Sequence, residues 1–150
     1  MAPWQDVVDD EPEFAARVRS IFDLRKHKTL ATLRRDGSPR ISGIEVEFSE
    51  GEMWLGMMPG SLKARDVRRD PRLAVQAMSD DPPEDNPSAW AGDAKAAGRA
   101  VEVSEGNPQG GHRFKIDLAE VVVTRVGDPA DHLLIESWHA DRGLTRRKRA

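Results

Sequence analysis

Apolar residues recur along this chain at two spacings, and the change from one to the other divides it into elements. Phe14, Val18, Ile21 and Phe22 follow the three-to-four spacing of a single helix face. Asp10-Glu11-Pro12-Glu13 place acids and a proline where a helix start favours them, so the pattern predicts an amphipathic helix ending within residues 24–27. Its stripe should lie over one opening of a sheet. Beyond it the period falls to two. Residues 29–33 read as a strand, residues 40–48 as its antiparallel partner, and Arg35-Asp36-Gly37-Ser38-Pro39 as the turn between them. Alternation puts Ile44, Val46 and Phe48 on one side of the second strand and Glu45 and Glu47 on the other, with Gly43 leaving room above the sheet. Ser49-Glu50-Gly51-Glu52 turns the chain again, and Met53, Leu55 and Met57 alternate along a third strand.

That strand stops at Pro59-Gly60, and a short helix begins with Ser61 as its N-cap and ends at Pro71. The first backbone N–H groups of such a helix have no partner, and its dipole favours an anion there by about 0.3–1 kcal/mol. Lys63 and Arg65 nevertheless stand in the first turn, where cations oppose the dipole. Two readings follow. Either these residues gather positive charge around a bound phosphate, together with the Ser hydroxyl and free N–H groups, or the helix is a solvated basic one balanced in part by Asp66 and Asp70.

Residues 72–77 make a further strand, followed by a polar loop from Ser79 to Asp93 in which Pro82, Pro83 and Pro87 forbid regular structure. Trp90 is an apolar anchor in that acidic loop, either docked on the fold or a partner subunit or stacked over a ligand. Residues 94–104 read as a strand whose Ala96, Ala97, Gly98 and Ala100 permit close approach by another backbone, and residues 105–111 as a turn. Phe114, Ile116 and Leu118 alternate into Val121-Val122-Val123, and residues 132–139 make the last strand. The ends, residues 1–12 and 141–150, are expected to be flexible. About six or seven strands with one leading and one inserted helix suit a mainly β, closed antiparallel barrel.

Composition narrows the function classes. The 150 residues, 38% of them hydrophobic and 33% charged, suit one domain spanning residues 1–150 with a real core. A net charge of −3 argues against a general nucleic-acid binder. With no cysteine there is no disulfide framework, thiolate nucleophile or thiolate metal site, which fits a cytoplasmic protein. No signal segment or membrane-length apolar run is visible. The four histidines, at 27, 112, 132 and 139, show no tight pairing for a metal or for acid–base work, although His139 could donate a proton beside a cofactor. No Gly-x-Ser-x-Gly elbow exists, so no catalytic side chain is assigned.

Leu30-Ala31-Thr32-Leu33-Arg34-Arg35-Asp36-Gly37-Ser38-Pro39, and after it Ser61-Leu62-Lys63-Ala64-Arg65-Asp66-Val67-Arg68-Arg69-Asp70-Pro71-Arg72, resemble the pyridoxamine 5′-phosphate oxidase-like flavin and deazaflavin oxidoreductases. The similarity spans roughly residues 20–126. It implies a split β-barrel, a homodimer with cofactors in clefts between subunits, and FMN, or alternatively the deazaflavin F-420, as cofactor. Ser61 and Lys63, assisted by Arg65, would hold the cofactor phosphate. Arg40, Ile41, Ser42 and Gly43 would run along the ring edge, Met57 and Met58 would sit near the phosphate end, and Gln76 would reach the cofactor. Trp138 and Arg142 would come from the partner subunit. Relatives often carry Thr or Asn where Met57 and Met58 stand, and the terminal Arg-x-His of true pyridoxamine phosphate oxidases is absent, so vitamin B6 oxidation is not expected. F-420 carries a polyglutamate tail, for which Arg65, Arg68, Arg69, Arg72 and Arg146-Arg147-Lys148-Arg149 could form a cationic groove. A third reading is a carrier of flavin or haem without turnover, its pocket lined by Trp54, Met57 and Met58.

Overall fold

The computed structural model describes residues 1–103 and 110–150. Helices α1 (Trp4–Asp10) and α2 (Pro12–Asp23) lead into β1 (His27–Leu33), β2 (Pro39–Ser49) and β3 (Glu52–Met57). Helix α3 (Leu62–Arg69) follows, then β4 (Arg72–Ala77), β5 (Asp93–Glu102), β6 (His112–Val126), β7 (Leu133–His139) and β8 (Gly143–Arg149). All strand pairings are antiparallel, in the order β3-β2-β1-β4-β5-β6-β7-β8. β3 also pairs with the start of β6, Leu55 opposite Phe114, and this closes the first six strands into a barrel. β6, at 15 residues, is long enough to close the barrel at one end and carry β7 and β8 beyond it at the other.

The alternation read in the sequence sets the two faces. Leu30, Ile44, Leu55, Val75, Phe114, Ile116 and Leu118 fill the interior, each at most 4% exposed. α1 and α2 pack their apolar residues into the same core. Phe14, Val18, Ile21 and Phe22 are buried, and Trp4 and Phe22 meet Phe48 edge to face at 4.9 and 5.6 Å between ring centroids. Each such burial is worth about 1.5–3 kcal/mol, enough to offset the ordering of a short amphipathic helix.

Three features depart from the sequence expectations. Residues 4–10 form α1, whose Trp4 and Val7 are buried, and residues 143–149 form β8, so regular structure reaches both ends. The basic end pairs with β7 because Arg146 reaches the buried Glu136. The proline-rich loop contains one 3-10 turn, Pro87–Ala89, which places its proline at the start, where no N–H is needed. The turn expected over residues 105–111 lies largely outside the described residues, as does the end of the strand expected to reach Ser104.

Gly98 bears out the close approach anticipated for β5. A Cβ there would lie 2.0 Å from the Asp117 carbonyl oxygen, at the point where the β5–β6 register shifts. Gly43 is the opposite case, with no atom within 4 Å of the place a Cβ would take. Gly98→Ala should therefore lower the unfolding free energy by about 1–3 kcal/mol, as overpacking does, while Gly43→Ala leaves it nearly unchanged. Urea denaturation of both variants checks this, and equal losses would contradict the bulge account.

Candidate functional site

The site is built where α3 docks on the β1–β2 hairpin. Ser61 has extended backbone angles, and its Oγ accepts a hydrogen bond from the Ala64 N–H at 3.3 Å, the N-cap geometry expected from the sequence. This leaves the N–H groups of Leu62 and Lys63 open to a ligand. Ala64 and Val67 face inward, and Asp70 ends the helix, where the Arg72 guanidinium holds its carboxyl down at about 2.

Asp66 fixes the helix in place. Its carboxylate is 2% exposed and accepts from the Thr32 hydroxyl at 2.8 Å, Arg40 Nε at 2.7 Å and Arg69 at 3.2 Å. Arg69 also donates to the Leu33 carbonyl at 2.7 Å. Burial pushes the Asp66 carboxyl up, but the donors from Arg40, Thr32 and Arg69 outweigh burial and hold it below its ordinary value.

With α3 so placed, Lys63 reaches back across β2 and donates to the Gly43 carbonyl at 2.6 Å. It stands at one end of a recess of about 590 Å³ on the outer face of β2 and β3. Register explains the hollow. Gly56 on β3 lies opposite Arg113 on β6 and one step past the Val46–Leu55 pair with β2, so its place on the outer face carries no side chain. Neither Gly43 nor Gly56 has any atom within 4 Å of its would-be Cβ, and neither has a positive φ. The fold requires glycine at neither position, and what both supply is room. Met58, 77% exposed, borders the recess on the Lys63 side, and Trp54 lies at the other end with the Arg113 guanidinium stacked 3.6 Å from its ring centroid. Glu45 and Glu47 line it from β2, and Glu45 lies 3.7 Å from His27 Nε2 and 3.6 Å from Lys26 Nζ.

A second recess lies on the other side of α3, between the helix and the hairpin turn. It is lined by Arg34, Arg35, Arg40, Arg65 and Arg69, against Asp36 and Asp66. Arg40 and Arg69 are bound to Asp66, whereas Arg34, Arg35 and Arg65 have no ion pair or side-chain hydrogen bond among the described residues.

The residues singled out in the sequence thus separate into groups. Gly43, Met58 and Lys63 share the first recess, Ser61 caps the adjoining helix end, and Arg65 belongs to the second recess. Along β2, Ile41 points outward at 74% exposed, whereas Arg40 turns in toward Asp66 and the Ser42 hydroxyl is buried without a partner. Gln76 stands on β4 in one register row with Thr29 and Gly43, on the same outer face but outside the recess. Met57 is 4% exposed and packs in the core, so its side chain does not border the recess as the sequence reading had it. Trp138 is 1% exposed, with its indole N–H donated to Asp10 at 3.2 Å, so the ring is enclosed by its own chain rather than offered to a second subunit. Arg142 lies at the β7–β8 turn beside Asp141, away from both recesses.

Sequence reasoning missed Gly56, Arg113 and the anchoring role of Asp66. Gly56 had a signal, since a glycine within an alternating strand marks close approach or open space. Arg113 had none, because its place depends on the β3–β6 pairing between residues far apart in the chain.

No family model matches the chain, and no curated protein matches it in sequence. Solved structures do match in shape. PhzG from Burkholderia lata 383, in complex with tetrahydrophenazine-1-carboxylic acid, aligns over 99% of this chain and 96% of its own, with a TM-score of 0.70 at 12% identity. A pyridoxamine 5′-phosphate oxidase-related, FMN-binding protein from Nostoc punctiforme PCC 73102 aligns over 100% and 98%, with a TM-score of 0.65 at 13% identity. An F-420 reductase aligns over 69% and 94%, with a TM-score of 0.52 at 14% identity. At these identities the likeness establishes the fold, the split β-barrel of the pyridoxamine 5′-phosphate oxidase-like proteins.

The Asp66 anchor has a pH signature. A carboxyl whose value is depressed on folding contributes stability above its unfolded value, near about 3.9, and loses it as pH falls through the folded one. Asp66→Asn should cost about 1.5–3 kcal/mol at neutral pH, and its gap from the parent chain should shrink below about pH 4. Urea denaturation at both pH values measures the gap, and one that ignores pH would remove Asp66 from the role of ionised anchor.

Proposed function

We propose that the chain is an FMN-dependent oxidoreductase acting on a small molecule. In this reading the cofactor phosphate lies at the start of α3, held by Lys63, the Ser61 hydroxyl and the free N–H groups of Leu62 and Lys63. The ring lies on the outer face of β2, over Gly43 and toward Gly56. One observation carries the reading: a recess kept open by two glycines that the backbone does not require, with a lysine at the end where a capped helix also presents its free N–H groups.

FMN, when bound, supplies the redox chemistry, and the residues of this chain bind and orient it. Lys63 is held toward the phosphate end by the Gly43 carbonyl, so little side-chain freedom remains to be lost on binding. Glu45, Glu47 and Arg113 also line the recess and would meet the substrate side of the ring. Ile41, Ala31, Ala74 and Ala97 follow one another across the outer face of neighbouring strands, a flat patch on which a second copy of the chain would pack to form a homodimer.

The second reading, F-420 in place of FMN, is favoured by Arg34, Arg35 and Arg65, three guanidinium groups of the second recess without an acceptor among the described residues. Across α3 from Lys63, they offer a cationic surface for an acidic tail passing over the start of the helix. The arginines of the basic end do not line that surface, and Arg146 is bound to Glu136.

Absorbance and fluorescence titration of purified protein with FMN and, separately, F-420 tests both readings. FMN should bind more tightly than F-420, and the reverse order would select the deazaflavin. Lys63→Ala should weaken affinity at least about tenfold, the loss of one charge-assisted contact of about 1.5–3 kcal/mol. Gly56→Val should abolish ring binding while leaving the melting temperature in place. Failure of both cofactors to bind the parent chain would overturn the reading and direct the titration to haem.

A further inference from the structure

Apart from the Asp66 cluster, a second buried carboxylate is shared by three arginines. Glu136 on β7 is 0% exposed. Its oxygens accept two hydrogen bonds from Arg17 of α2, at 3.0 and 2.9 Å, and one from Arg146 Nε of β8 at 2.9 Å, while Arg125 Nε of β6 lies 3.4 Å away. Three positive charges thus face one negative charge. Pinning α2 to the sheet explains Arg17 and Arg146. It does not explain Arg125, whose side chain makes no hydrogen bond among the described residues, nor the buried Nε atoms of Arg17 and Arg125, which both lack an acceptor there.

Arg17 and Arg125 also line a recess of about 390 Å³ whose remaining wall is Ala16, Ser20, Ile21, Trp90 and Ala91. The acidic proline-rich loop holds that wall still. Trp90 donates its indole N–H to the Asp80 carbonyl at 2.7 Å, Asp80 pairs with Arg25 just beyond α2, Ser79 is bonded to the Gly92 carbonyl and Ser88 to the Gly127 carbonyl. A loop that could not be regular structure is therefore stapled at several points, and what it presents beside the two arginines is an indole. The part-exposed guanidinium groups of Arg17 and Arg125 and the indole of Trp90 together form a complement for a flat or apolar body ending in a carboxylate.

We propose that this recess, formed by α2, β6 and the Trp90 loop, is a second ligand site that takes a small organic carboxylate. The carboxylate engages Arg17 and Arg125 and the apolar body lies against Trp90. The site is separate from the recess over Gly43 and Gly56, since the two share no residue. It does not depend on which cofactor, if any, the first recess binds.

The test uses the full chain, with benzoate as probe and benzyl alcohol as its uncharged counterpart. Binding is followed by the indole N–H resonances in two-dimensional NMR, with Trp90→Phe assigning the one that belongs to position 90. Benzoate should shift the Trp90 resonance saturably, and benzyl alcohol should not. Arg125→Leu should weaken benzoate binding at least tenfold, and because Glu136 keeps Arg17 and Arg146 the variant should remain folded, as its other indole resonances will report. An unmoved Trp90 resonance, equal shifts from the alcohol, or full benzoate affinity in folded Arg125→Leu would each overturn the proposal. A response to inorganic phosphate without one to benzoate would likewise overturn it, leaving a simple anion site. If Arg125→Leu does not fold, Arg125→Lys, which keeps the charge and loses the planar fork, should weaken benzoate binding severalfold, and unchanged affinity there would count against the site.

Discussion

The outer face of this barrel depends on a single carboxylate. An eight-residue helix has little stability of its own, and α3 lies where it does because Asp66 is gripped from β1 by Thr32, from β2 by Arg40 and from within the helix by Arg69. Each donor comes from a different part of the hairpin and helix, so the carboxylate sets their mutual angle as well as their separation. Ser61 and Lys63 are positioned through it. Lys63 could not meet the Gly43 carbonyl from a helix free to rock, and the recess would lose the cation at its end. The interaction resolves the puzzle of the basic first turn. A cation that opposes the helix dipole costs only a few tenths of a kcal/mol on an exposed surface, and here it accepts that cost in return for a carbonyl partner on another strand.

The same device appears twice. Asp66 and Glu136 are each almost wholly buried and each shared by more than one arginine. A buried carboxylate with one cation would leave lone pairs unsatisfied, so the extra guanidinium donors are needed for the acid to be tolerated at all. The consequence is a chain with a net charge of −3 that nonetheless carries concentrated positive charge at two places on its surface. Overall charge predicts bulk behaviour, while the placement of a few buried acids decides where anions are attracted.

How much of this was legible in the sequence follows from the range of each interaction. Period-two alternation gave β1 to β3 and their faces, helical spacing gave α2, and the Ser61 cap was local chemistry confirmed by one hydrogen bond. Gly43 and Gly98 were both read as making room, and they do so in opposite senses, one toward open space and one against a neighbouring backbone. Pattern alone cannot separate these cases. β8 was missed because its Arg-rich sequence lacks an apolar face, and it is held by pairing with β7 and by Arg146 on a buried acid. Met57 and Trp138 were assigned toward a cofactor from family resemblance, whereas Met57 alternates with Met53 and Leu55 and is buried with them, and Trp138 is buried beside Glu136 on the same strand. Asp66 could not be recognised beforehand, since an aspartate on a basic helix looks solvated until its three partners are brought together in space.

The geometry of the first recess also sets a condition on any chemistry there. It lies on the outside of a closed barrel, floored by β2 and β3 and bounded at one end by Lys63 and at the other by Trp54 and Arg113. A flat ring laid on that floor would be covered on one face only, and reactive redox cofactors are served by sites that exclude water from both. The missing cover cannot come from the barrel interior, which is filled by side chains such as Leu30, Leu55 and Phe114. Nor is it supplied by the Trp90 loop, which is stapled over α2 and β6. Among the described residues nothing else supplies the second wall, so under the flavin reading it would come from another polypeptide, and the neighbouring strands present Ile41 exposed among small alanines, a surface that lets a flat face approach closely. On this argument, dimerisation would do more than stabilise the fold. It would complete the site, with the substrate meeting Glu45, Glu47 and Arg113 of one subunit beneath a roof made by the other.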